Sequence, residues 1–119
     1  MRWSLGLAAL NGLLSVATGA FAAHGAAPAA KAWLETGAHY QGVHAAAALA
    51  AASLLARSRR LGGAAVWLFG VGGLVFAGSL DLLAVTGVRA WGALTPLGGL
   101  MLIAGWLALL VVLVREGPR

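Results

Sequence analysis

The sequence predicts an all-α integral membrane protein, a four-helix bundle in up-down-up-down order with both termini cytoplasmic. Three observations lead there. Hydrophobic residues make up 61% of the 119 residues and charged residues only 9%, against about 25% charged in a soluble domain. Mean hydropathy is +0.92. Charges, prolines and glycines also divide the chain into four apolar runs, each near the roughly 20 residues that cross a bilayer. Continuous Ala- and Leu-rich runs exclude a barrel of short alternating strands, so helices that satisfy their own backbone groups remain.

The first run is Trp3 to Ala23, WSLGLAALNGLLSVATGAFAA. Arg2 and the small residues around Ala20 to Ala22 loosely fit a cleaved signal segment. Asn11 and Ser15 interrupt the apolar core such a segment prefers, so the run is read as a retained span. A polar connection follows, HGAAPAAKAWL, with Pro28 as its breaker. The second run, Glu35 to Leu55, stops at ARSRR, and the third spans Leu61 to Val85. After the link TGVRAWGA the fourth spans Thr95 to Val114, with Thr95 as N-cap and Pro96 in the first turn. All of 1–119 then forms a single transmembrane domain.

Orientation follows from basic residues counted by side. Arg2, Arg57, Arg59, Arg60, Arg115 and Arg119 fall on the side of the termini, and Lys31 and Arg89 on the other. Six against two assigns the termini to the cytoplasm of a multi-pass cell (inner) membrane protein. The net charge of +5 is thereby absorbed by membrane topology and anionic headgroups, and nucleic acid is not an expected partner. With no cysteine, disulfides, thiolate metal sites and cysteine nucleophiles are excluded. No nucleophile elbow, phosphate loop or zincin motif is present, so an enzyme is not expected.

The polar residues sort by helical face. Asn11, Ser15 and Thr18 share one stripe of the first run, read first as interhelical hydrogen bonding. In the third run Gly63, Gly70 and Ala77, with Gly73 beside them, form a small-residue face that invites a neighbouring helix. Asp81 falls within about 40° of Ala77 and should face the bundle. The second run is the polar one. Glu35 pairs with His39 and Tyr40 with His44 at a spacing of four. Topology gathers His24, Glu35, His39, Tyr40, His44 and Asp81 in the outer half of the bundle, as candidates for binding a ligand or handling protons. His39 and His44 are five apart and splay by about 140°, so chelation from one helix is disfavoured. A metal shared between helices stays open, and no cofactor is assigned.

Four ordered motifs carry a family likeness: GAFAAHG (19–25), ETGAHYQGVHAAAALA (35–50), FAGSLDLLAVTG (76–87) and TPLGGLMLIAGW (95–106). Together they resemble the YgdD/YwdK-type family of small membrane proteins, a domain of unknown function with a vertebrate transmembrane relative. The resemblance implies a four-helix membrane protein, with His24, Tyr40, Gln41, His44, Ser79, Thr95, Pro96 and Gly99 at motif positions. The family pattern usually has an aromatic where this chain has Asp81, which moves the expectation toward His24, Tyr40 and His44. It implies no reaction. Two functions are therefore expected. One is a non-enzymatic membrane protein that binds or conducts a small ligand, ion or proton through the His/Tyr/carboxylate cluster. The other is a structural or partner-binding protein, alone or as a homo-oligomer, in which Asn11, Ser15, Thr18, Ser79 and Thr95 fix helix packing.

Overall fold

The computed structural model describes residues 1–53 and 58–116, and among these it is all-α, with no strand. Helix α1 spans Arg2–His24, α2 Pro28–Ala52, α3 Arg59–Thr86 and α4 Thr95–Arg115, with a short 3-10 helix, Arg89–Ala93, between the last two. The expected end of the second run at Leu54 and Leu55 lies outside the described residues, as do Arg57 and Arg119.

Two local expectations are corrected. Pro28 does not break the chain; it opens α2, so the helix starts seven residues before Glu35. Its missing N–H falls in the first turn, where that group would have no intrahelical partner, and its fixed φ suits helix entry. Thr95 is not an N-cap. Leu94 holds that position, no side-chain cap bond forms, and Thr95 begins the helix itself. Its hydroxyl is used elsewhere, as described below. α3 ends at Gly87 with φ 68°, a left-handed cap whose N–H reaches the Leu83 carbonyl at 2.8 Å; a side chain at that φ would be strained.

Near approaches fix the order of the bundle. Gly12 faces Ala45 and Gly19 faces Ala38, so α1 and α2 run antiparallel. Gly37 lies on Ala77, and the rings of His44 and Phe69 meet, so α2 and α3 are antiparallel too. Gly98 faces Phe76 and Gly105 faces Phe69, which reverses α4 against α3. The result is up-down-up-down, with α3 packed on the other three helices. At Gly98 a Cβ would collide with the Phe76 main chain, so only glycine permits this approach. The buried cluster that results joins Ala8, Ala48, Ala65, Val66, Phe69 and Leu102.

The same register sets helix ends at different heights. Thr95 is level with Ser79, to which it is hydrogen-bonded. The last turns of α3, the first turns of α2 and the end of α1 therefore run past the start of α4. The molecule is 51 Å long, whereas the 21 residues of α4 reach about 32 Å. We call this extended side, which holds both short connections, the loop end, and the opposite side the terminal end. Among the described residues, Arg2–His24, Arg59–Thr86 and Arg89–Arg115 are long and apolar enough to cross a membrane. α2 falls short of that apolarity, because its first two-thirds carry Lys31, Glu35, His39, Gln41 and His44.

Candidate functional site

The site centres on His44, buried at mid-height on α2. Its Nδ1 lies 2.6 Å from the Tyr40 carbonyl oxygen one turn back, and the Trp106 indole N–H donates to its Nε2 at 2.9 Å. An indole can only donate. Nε2 must therefore accept, and the ring proton sits on Nδ1, donating to the carbonyl. His44 is thus a neutral imidazole with both nitrogens engaged. Phe69 flanks it with ring centres 5.6 Å apart, and the Tyr40 ring stacks at 6.2 Å. Phe69 in turn meets Trp106 edge-on at 5.1 Å, so one aromatic cluster joins α2, α3 and α4.

A second network lies deeper. The Asn11 amide donates to the Gly70 carbonyl at 3.0 Å and to Leu7 at 2.9 Å, and the Gln41 Nε2 donates to Asn11 Oδ1 at 3.0 Å. Asn11 and Gln41 are buried, and Gln41 Oε1 has no partner among the described residues. A Cβ at residue 73 would stand 2.8 Å from Asn11 Oδ1, so Gly73 makes room for the pair. Nearer the loop end, the Ser79 and Thr95 hydroxyls share a hydrogen bond of 2.6 Å that ties α3 to the start of α4. Ser15 and Thr18 bond to carbonyls of their own helix, so of the three polar residues on that stripe Asn11 makes the cross-helix bonds.

Between α2 and α4 the surface opens into a groove of about 550 Å³. Val43, Phe76, Leu102 and Ile103 wall it, His44 and Trp106 lie at its deep end, and Thr36, Tyr40 and Gly99 lie toward the loop end. Along α2 it covers Thr36 to His44, about 12 Å of helix. Neither the Thr36 nor the Tyr40 hydroxyl has a hydrogen-bond partner among the described residues, and Tyr40 is 45% exposed.

The six ionisable or phenolic residues expected to converge in the outer half do not form one cluster. Tyr40 and His44 share the groove, and the exposed His39 touches the Tyr40 ring edge-on at 5.5 Å. His24 is exposed at the end of α1. Glu35 is exposed beside Lys31, with their charged atoms 3.9 Å apart. Asp81 is half-buried, with one carboxylate oxygen enclosed and without a partner among the described residues. The physical reason is helical phase: at about 100° per residue Glu35 lies about 180° and His39 about 140° from His44, so with His44 turned inward the other two face outward. Among the described residues no three His, Asp or Glu side chains are grouped to hold a metal. Sequence reasoning missed Phe69, Phe76 and Trp106. Trp106 did leave a signal: it lies mid-run, away from the interfacial heights where membrane tryptophans concentrate.

Residues 18–99 match the family model described as "Protein of unknown function (DUF423)". The chain belongs to this family. It is 36% identical to the UPF0382 inner membrane protein YgdD of Escherichia coli (strain K12), covering 96% of this chain and 91% of the relative. It is 37% identical to the UPF0382 membrane protein YwdK of Bacillus subtilis (strain 168), over 92% and 94%. A UPF0382 membrane protein of Haemophilus influenzae is 40% identical over 88% of each chain. These names place the DUF423 family in membranes and carry no enzymatic activity. No solved structure matches the chain.

Proposed function

We propose that this DUF423 protein is a non-enzymatic, four-span membrane protein that holds a single-chain amphiphile in the groove between α2 and α4. One observation carries the reading: the groove is apolar along its length and offers hydroxyls, Thr36 and Tyr40, at the loop-end side only. A helical side chain leans toward its helix N-terminus, which for Tyr40 is the loop end. An apolar tail would lie along Val43, Phe76, Leu102 and Ile103, with a hydrogen-bonding head near the two hydroxyls. The volume falls within the roughly 300–1,000 Å³ of ordinary ligand sites. In this reading α2 also spans, its polar first turns standing in the headgroup layer, and the basic excess of the terminal end keeps both termini cytoplasmic.

Conduction of an ion or proton is less well supported. Phe69, Val66 and Asn11 fill the bundle axis, each less than 2% exposed. His44 has no free nitrogen to receive a proton or a metal while Trp106 is in place. A packing role has its own support, because Asn11, Gln41, Ser79 and Thr95 pair across helices. We read this as the scaffold that holds the groove open.

The test is to identify what the purified protein retains in mild detergent. A Cβ at residue 99 would meet the Phe76 ring at an ordinary contact distance of 3.9 Å, so a side chain can start there, and Gly99→Leu places its apolar branch in the groove that Gly99 lines. Wild type should retain one single-chain amphiphile enriched over bulk lipid, and Gly99→Leu should lose it at unchanged thermal stability. Equal, unenriched lipid in both proteins contradicts the reading.

A further inference from the structure

We propose that the terminal end carries a second site, independent of the groove: a cleft that takes the phosphate of an anionic phospholipid. Its volume is about 570 Å³, and it forms where the ends of three helices meet. Ser4 of α1, Ser53 just past α2, and Arg59, Gly63 and Trp67 of α3 line it. The last three are spaced by four and so share one face of α3.

The order of polarity along that face names the ligand. Arg59 stands at the first residue of α3, exposed, with no carboxylate partner among the described residues. The chain holds three acids. Glu35 is beside Lys31 and Asp81 is near the loop end of α3, while Glu116 follows α4 and does not line the cleft. Arg2 is drawn aside, its guanidinium 5.2 Å over the Trp3 ring. Trp67 lies about 12 Å further toward mid-bundle and is 46% exposed, an apolar wall below a cation. A phospholipid has this sequence of charge then hydrocarbon; a free phosphate has no use for the lower part. The serine hydroxyls do not compete as recognition donors, since Ser4 donates to the Met1 carbonyl and Ser53 to Ala50, both at 2.7 Å. Phosphate recognition therefore falls on the Arg59 fork, which suits bidentate phosphate contact. Among the described residues no carboxylate lines the cleft to receive a choline or ethanolamine cation, which favours an anionic headgroup.

The experiment measures phosphatidylglycerol and phosphatidylcholine binding to the full chain in detergent by native mass spectrometry. Wild type should prefer phosphatidylglycerol. Surface attraction alone amounts to about fivefold per arginine, so Arg115→Gln, outside the cleft, should cost no more than that. Arg59→Gln should cost more than about tenfold, and Arg59→Lys, which keeps the charge but not the fork, should fall between. Trp67→Ala should weaken the lipid at unchanged charge. Equal losses for Arg59→Gln and Arg115→Gln would overturn the site in favour of general surface potential. Displacement of the lipid by excess inorganic phosphate would overturn the lipid assignment.

Discussion

Asn11→Leu removes the hub of the buried network while keeping the side chain's branching and number of heavy atoms. Asn11 makes two cross-helix contacts, to the Gly70 carbonyl and with Gln41. Such bonds in membrane proteins average about 0.6 kcal/mol and reach about 1.7, so their loss costs about 1–3 kcal/mol. The substitution also strands the Gln41 amide, whose Oε1 already lacks a partner among the described residues. An orphaned buried group adds about 1–3 kcal/mol. Gln41→Leu alone loses one cross-helix bond and strands the buried Asn11 Oδ1, offset in part by removing the unpartnered Gln41 oxygen, so it should cost about 1–3 kcal/mol. In the double variant no amide is stranded, and its cost should fall short of the sum by at least about 1 kcal/mol. Reversible unfolding in bicelles measures all three. Additivity within about 0.5 kcal/mol, the value for independent sites, would refute the coupled network.

Trp106→Phe keeps an aromatic but smaller ring and deletes the N–H, leaving His44 Nε2 without its donor; it should cost about 1 kcal/mol or more. ¹⁵N NMR of wild type should show His44 as the Nδ1–H tautomer, held by the Tyr40 carbonyl, and Trp106→Phe should shift only the Nε2 signal as it loses its donor; an Nε2–H tautomer in wild type contradicts the assignment. Gly98→Val drives a side chain into the Phe76 main chain and should destabilise by about 3 kcal/mol or more; a thermal midpoint equal to wild type would show that the α3–α4 approach is looser than described. Glu35→Gln, at an exposed pair 3.9 Å from Lys31, should change stability by less than about 0.5 kcal/mol. A larger loss would mean that Glu35 has a partner other than Lys31.

Much of the architecture was legible because apolar run length is a direct consequence of bilayer thickness. The small-residue face of the third run was legible for a similar reason: Gly70, Gly73 and Ala77 each receive a neighbour, Leu7, Asn11 and Gly37 respectively. The start of α2 was not, since Pro28 reads equally as breaker or as first-turn residue, and only the geometry of the preceding turn decides. The split of the polar residues follows from helical phase instead: Glu35 and His39 lie about 180° and about 140° from His44 on one helix, and in the structure they are exposed while His44 is buried. The Tyr40–His44 pair was visible from its spacing, but Trp106 was not its visible partner, because side-chain contact between α2 and α4 depends on how both pack on α3. No local pattern encodes that.

The most direct test of the groove uses Trp106 as its own reporter. In a variant with the other four tryptophans replaced by phenylalanine, fluorescence is followed as a fatty acid brominated along its tail is added to vesicles. A parallel titration uses phospholipid brominated at the same depth. Occupied by a single-chain amphiphile, the groove predicts saturable quenching by the fatty acid at low mole fraction, abolished by Gly99→Leu. Quenching that rises linearly and equally with both brominated lipids, and is indifferent to Gly99→Leu, would mean that Trp106 faces ordinary bilayer and that the groove holds nothing of its own.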